Sequence, residues 1–471
     1  MNGKIVKRIL VWLIVLACSG CALVKPTDPY QAVGIRMPDA SERATSPTSA
    51  GQLDGPLVLS QAIEIALVNN PDIAAASWDA EASAAQHDLA FGERIPTVRT
   101  QGGYTHHLDN QRLIAASDNN EPGLFGRDIV SGEIILTMPL FTGGRLINQV
   151  KAAQLLQMAA THRLTRTRAE IVFNVSSAFF NILAQNRVIE SLTFSRQTLQ
   201  EHLNRVDALV TAQKSAKVDS MRTEVRLADI EQRLVREENL RMIFHRVLVN
   251  LLGLKSPPGV ISLSEGLAVN AKEGVPDLET ALTKAWSGRG DFLSARSTLE
   301  AQSRSLDSAR AAHWPTLSFQ TAYGRRWSTG ETLGSKKLDN PDDIGRIGVV
   351  VDIPLFEGGR VEAKIRDQQA KLASAQERFR KLEGQIQLEV ETALLNVNSS
   401  WERIKVTQKT IEQAQESYRI ERLKYDSGKG AIVDVLDAQS ALLDSQTNYN
   451  RALADHNIAN AQLRLAVGGE L

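Results

Sequence analysis

Little in this chain offers covalent chemistry. It has 2 cysteines, Cys18 and Cys21, both in the N-terminal segment, so the rest of the chain holds no disulfide framework. A Cys-x-x-Cys redox pair needs a folded βαβ context that a cleaved leader does not supply. Apart from the leader, no apolar run approaches the roughly 20 residues of a membrane helix, so any membrane crossing must use strands. Lys+Arg and Asp+Glu are both 54, and this zero net charge argues against a general nucleic-acid partner, which needs a basic surplus. There is no Gly-x-Ser-x-Gly elbow, no phosphate-binding Gly-rich loop and no His-Glu-x-x-His. Neither an enzyme nor a cofactor is expected. His106-His107 has metal-ligating chemistry, but its place at an expected strand end suits a solvated loop tip.

What is present begins with a leader. Lys4, Lys7 and Arg8 form a basic n-region and Ile9–Ala17 a short apolar one, so residues 1–20 read as a signal peptide. Ser19-Gly20-Cys21 matches the end of a bacterial lipobox, which makes Cys21 the diacylated first residue of the mature chain. The usual Leu is replaced by Cys18, the alternative acceptor. Residues 21–56 then form an acylated linker that anchors without spanning.

The remainder is a duplicated unit. Ile95-Pro96-Thr97 through Tyr104 recurs as Trp314-Pro315-Thr316 through Tyr323, an offset of 323 − 104 = 219. Pro139-Leu140-Phe141 and Gly143-Gly144-Arg145 recur as Pro354-Leu355-Phe356 and Gly358-Gly359-Arg360, an offset of 354 − 139 = 215 that holds to the end. The change of offset places a four-residue insertion in the loop between the two segments. The units are 57–255 and 276–469, joined by a linker at 256–275.

Each unit reads as a helical stretch, two extended segments, then a very long helical stretch. Leu146–Leu252 contains neither Gly nor Pro and, if continuous, would reach on the order of 160 Å. Such a length demands coiled coil or stacked hairpins. Gly384, Gly428 and Gly430 are the expected interruptions in the second copy. Near the C-terminus, Val435, Leu442, Tyr449, His456 and Leu463 form one heptad series and Ala438, Ser445, Ala452, Ala459 and Ala466 the other, a coiled-coil seam with small alternate layers. Among the extended segments, Leu317, Phe319, Thr321 and Tyr323 alternate with Thr316, Ser318, Gln320 and Ala322. Ile347, Val349, Val351 and Ile353 alternate likewise, and Ile134, Leu136 and Met138 match them in the first copy. That is the pattern of membrane strands, although a soluble hairpin packed on helices would show it too; four strands in two matched pairs favour the membrane. Four strands cannot close a barrel and lipid tolerates no open edge, so strands in a membrane would require a shared barrel of eight strands in a dimer or twelve in a trimer.

Ala62…Ala66-Leu67…Asn69-Asn70-Pro71, the paired Pro-Leu-Phe-x-Gly-Gly-Arg segments and Val433-Asp434-Val435-Leu436-Asp437-Ala438-Gln439 together resemble the TolC-type outer-membrane factors. The run after Cys21, through Pro26 and Tyr30, resembles their acylated multidrug-efflux branch. The resemblance implies an α+β membrane protein: a homotrimer with a twelve-stranded barrel in the outer membrane and a periplasmic helical tunnel. It implies a non-catalytic exit duct, docked through a periplasmic adaptor to an inner-membrane, proton-driven transporter. It also assigns Asp434 and Asp437 to a ring at the periplasmic entrance, and Asp219 and Tyr425 to a latch. A family Arg of that latch falls at Gly430, with Lys429 as a substitute. Pro139, Gly143, Gly144, Pro354, Gly358 and Gly359 form the strand-to-helix turns, where permissive backbone suffices as an explanation. An acid at 434 or 219 also suits a helix N-cap. Competing functions are the exit duct of a one-step protein secretion system and a non-conducting periplasmic coiled coil.

Overall fold

In the computed structural model, the described residues are 56–114, 124–254, 261–264, 266–267, 276–329 and 342–469. All of them belong to one compact unit, Gly55–Leu471. Cys18, Cys21 and the leader lie outside them. Each repeat gives two short helices, a β-hairpin and a long helical hairpin. The first comprises α1 (Leu59–Asn69), α2 (Pro71–Gly92), β1 (Thr97–Ile114), β2 (Leu124–Phe141), α3 (Arg145–Thr211) and α4 (Lys217–Leu251). The second comprises α5 (Leu278–Gly288), α6 (Gly290–Arg310), β3 (Thr316–Thr329), β4 (Asp342–Asp352), α7 (Arg360–Asp426) and α8 (Ile432–Val467). The helices α3 and α7 are each 67 residues, about 100 Å at the α-helical rise.

The Gly- and Pro-free stretch is a hairpin and not one rod. It turns at Gln213, a non-Gly residue with left-handed φ of 58°. Gln213 is the repeat equivalent of Gly428 (428 − 213 = 215), whose φ is 73°. Both turns close in the same way: Lys214 N–H donates to the Leu209 carbonyl at 2.8 Å and Lys429 N–H to the Lys424 carbonyl at 2.9 Å. Gly384 does not interrupt α7. A Gly costs a helix about 1 kcal/mol against Ala, and the adjacent burial of Ile386, Val390 and Ala393 against α5 and α8 outweighs it. Along α8 the expected seam is buried, with Leu442 and Tyr449 half-buried.

The strands form an antiparallel sheet in the order β1-β2-β3-β4. His106 sits inside β1 and not at a strand end, with Nδ1 2.6 Å from Asp128 Oδ1. Over their paired stretch β1 takes up four more residues than β2. Two register shifts, after His106↔Asp128 and before Ile114↔Leu124, take up (114 + 124) − (106 + 128) = 4 residues. One face carries Val98, Leu136, Phe319, Tyr323, Ile347, Val349 and Val351, with Tyr104 and Trp327 toward the hairpin tips. That is an apolar band ending in an aromatic girdle. The opposite face carries Arg99, Gln101, Ser131, Gln320 and Glu133, and Arg346 reaches across β3 to within 2.9 Å of Glu133. Gly324 makes room for that reach: a Cβ there would lie 2.5 Å from the Glu133 Cα.

At the far end of the short helices the repeats are tied alike. Asn70 caps α2, and its Nδ2 donates to the Leu251 carbonyl at 2.8 Å. Its repeat equivalent, Arg289 (289 − 70 = 219), donates from Nη1 to the Ala466 carbonyl at 3.1 Å. Since 466 − 251 = 215, the accepting carbonyls are equivalent too.

Candidate functional site: the helical-hairpin tip

The two hairpin turns, after Thr211 and after Asp426, end the long helices farthest from the sheet. The core beneath them joins α3 (Leu192, Leu199, Val206), α4 (Leu227, Ile230) and α8 (Ile432, Val435, Leu436), with Tyr425 half-buried against it. Asp434 is exposed in the first turn of α8, and Asp219 occupies the equivalent position in α4 (434 − 219 = 215). Neither is the N-cap: those places belong to Ala431 and Ala216, which make no side-chain cap bond. Each carboxylate still sits where a helix dipole favours an anion.

Asp219 accepts from Ser215 Oγ at 3.0 Å. Its charge reaches Tyr425, whose phenol is pushed above its ordinary pKa first by burial and then by Asp219, with Arg205 opposing. Asp437, one turn beyond Asp434, is exposed and lies 2.8 Å from Arg226 Nη2 of α4. A second rung follows, Arg233 to Asp444 at 3.1 Å.

Gly430 packs closely, so that a Cβ there would come within 3.0 Å of Lys424 Cβ. The guanidinium beside Tyr425 belongs instead to Arg205 of α3, whose Nη1 is 3.1 Å from Asp426 Oδ1. No spacing in the sequence singles out Arg205 or Arg226, because their partners lie on other helices. His202, one helical turn before Arg205 on α3, is buried, and burial together with Arg422 and Arg205 lowers its pKa.

At the opposite end of α3 and α7, Gly143 and Gly144 have φ of 62° and 87°, and Gly358 and Gly359 have 63° and 79°. The same left-handed pair starts both long helices. Pro139, Gly143 and Gly144 line an apolar groove with Met138, Phe141 and Trp314. Pro354 lies at the matching position after β4. Among the described residues no cluster of His, Cys, Asp or Glu could hold a metal ion, and no helix is long and apolar enough to cross a membrane.

The family model for outer membrane efflux proteins matches twice, at residues 62–254 and 281–469. The chain is 22% identical to the outer membrane protein TolC of Salmonella enteritidis, covering 87% of this chain and 82% of that protein. It is 22% identical to the probable outer membrane lipoprotein SilC of Salmonella typhimurium, covering 87% and 86%. Its fold is similar to the CusC channel (TM-score 0.74, 19% identity, 88% and 92% covered). It is also similar to the outer membrane protein VceC of Vibrio cholerae (TM-score 0.73, 19% identity, 87% and 96% covered). With both repeats matched over most of its length, the chain belongs to the outer membrane efflux protein family.

Proposed function

We infer that the protein is the outer-membrane exit duct of a tripartite efflux system, working as a homotrimer that is a conduit and not a catalyst. The observation that carries this is the sheet. It has an apolar girdled face and a polar face, four strands, and β1 and β4 paired on one side only. In lipid such edges must be closed by further copies. Three chains give twelve strands, and the helices joined to them supply a periplasmic tunnel.

A heptad series on α4 (Val218, Met221, Val225, Val235, Met242) and another on α7 (Leu388, Leu395, Val406, Ile420, Leu423) are exposed in the single chain. These suit helix packing between protomers. Relatives include the toluene efflux pump outer membrane protein TtgI and the pyoverdine export outer membrane protein OpmQ of Pseudomonas putida. A periplasmic adaptor and a proton-driven inner-membrane transporter are the corresponding partners here.

Acylation at Cys21 fits the geometry. Leu57 is buried in the same core cluster as Phe179 of α3. From Phe179 up α3 to Arg145 is about 50 Å at the helical rise. Fully extended, the 21–56 segment could span at most about 130 Å, enough to reach the membrane. Replacing Cys21 by Ser should abolish palmitate labelling; labelling that persists assigns Cys18.

At the tip, Asp434 and Asp437 from three chains ring the entrance, while Asp219, Tyr425 and Arg205 hold the hairpins together. Like charges in a narrow mouth attract cations and repel one another, so adaptor docking need add little to open it. The test is conductance of the purified oligomer in planar bilayers, paired with in-cell crosslinking of the tagged protein. A pore recovered with an adaptor and a proton-driven pump supports the reading. An oligomer that never conducts sinks it.

A further inference from the structure

We infer that β4 of one protomer pairs with β1 of the next in the register that β2 and β3 already use within the chain. This sets Val349 opposite the partner's Tyr104 and Val351 opposite the partner's Gly102. The inference rests on the trimeric-barrel reading and gives its junction in residues.

The repeat offsets carry strand register faithfully. In the first hairpin Thr100 pairs with Ile134, Gly102 with Gly132 and Tyr104 with Val130. Adding 219 on β1 and 215 on β2 turns these into Phe319 with Val349, Thr321 with Ile347 and Tyr323 with Gly345. All three pairs occur in the second hairpin. The junction between the hairpins pairs Ile134 with Tyr323, Leu136 with Thr321 and Met138 with Phe319. The same offsets, added on β2 and subtracted on β3, give Val349 with Tyr104, Val351 with Gly102 and Ile353 with Thr100.

Three further observations agree. The five of these residues within β1 and β4 lie on the apolar face, whereas a slip of one residue would turn one chain's apolar face toward the lumen. The second-copy turn is also bare where the first is covered. Leu140 and Phe141 are each 48% exposed, but their equivalents Leu355 and Phe356 are 93% and 88% exposed. A Cβ on Gly143 would lie 2.4 Å from Trp314 Cβ, while one on Gly358 would meet nothing within 4 Å. The residue equivalent to Trp314 is Ile95, two residues before β1, and it would arrive from the next protomer. Finally, Arg166 Nε lies 3.8 Å from Asp291 Oδ2 between the repeats. The offsets make this pair Lys381 and the partner's Asp72, again a base with an acid, both exposed in the single chain.

The test is disulfide capture in outer-membrane fractions of a Cys18→Ser background. Val349→Cys is combined with Tyr104→Cys, and a control combines Val351→Cys with Tyr104→Cys. Directly opposed strand residues fall within the Cα window of about 4.4–6.8 Å for a disulfide. Diagonal neighbours at about 7–8 Å fall outside it. The opposed pair should give covalent dimers and trimers under mild oxidation, several-fold above the control. A control that crosslinks equally well overturns the register, as does no crosslinking in particles of trimeric mass. A non-conducting monomer overturns the duct reading and the register with it. Independently, Lys381→Glu should lower the thermal stability of the trimer and added Asp72→Lys restore it; no rescue counts against the junction.

Discussion

Arg226 Nη2 lies 2.8 Å from Asp437 Oδ1, so the second acid of the α8 entrance segment faces a cation of α4 in its own chain. The two proposed ring acids are therefore unequal. Asp434→Ala should reduce cation selectivity and multivalent-cation block more than Asp437→Ala, and Arg226→Ala should increase both. The stability change should be small, since exposed ion pairs are worth about 0.2–1 kcal/mol. Reversal potentials in asymmetric salt decide this; equal effects of the two Asp variants would remove the role given to Arg226.

Arg205 joins α3 to Asp426 of α7 at 3.1 Å, beside Tyr425. Removing this guanidinium loosens the tip where the two hairpins meet. Arg205→Ala should raise single-channel conductance in the absence of any adaptor, and Arg205→Lys should do so less. Wild-type conductance in the Ala variant would show that the hairpins are held elsewhere.

Three buried histidines set a pH dependence. Burial lowers the pKa of His202, His245 and His456; Arg422 and Arg205 add to it at His202, against weaker opposition from Asp426 and Glu201. The unfolded chain takes up these protons near pH 6.5, before the folded one does. Stability is therefore full above about pH 6.5 and falls as the pH drops toward the lower folded-state values. Helical melting followed by circular dichroism should shift to lower temperature from pH 7 to pH 5. His202→Leu should remove part of that shift, and an unaltered pH profile would contradict it.

Arg289 is 1% exposed, and its Nη2 lies 2.7 Å from Asp291 and 2.8 Å from Glu389. These partners hold its pKa above the ordinary value although burial opposes it. Arg289→Ala removes the cation shared by Asp291 and Glu389 and the bond to the Ala466 carbonyl, and should cost about 2–3 kcal/mol. Asn70→Ala, at the equivalent joint, should cost about 1–2 kcal/mol as a lost helix cap. Comparing the two by chemical denaturation tests the asymmetry; equal losses would show that the ionic joint contributes nothing special.

The sequence by itself determined the repeat, the strand faces and the helical length. These are periodic properties: alternation, heptads and a constant offset survive in one dimension. It also placed Asp219 and Asp434 at equivalent positions. Even the α3–α4 turn was legible through the offset, since Gln213 falls opposite Gly428, but no local residue marks a left-handed Gln. Tertiary structure alone decided where the guanidiniums go. Arg205, Arg226 and Arg346 meet Asp426, Asp437 and Glu133 across elements separated by about two hundred residues, and only packing sets such distances. It also decided that Gly384 leaves α7 intact, because burial of the neighbouring apolar residues outweighs a local propensity. It also set two register shifts between β1 and β2. Backbone pairing on either side of a bulge absorbs extra residues at less cost than exposing an unpaired strand.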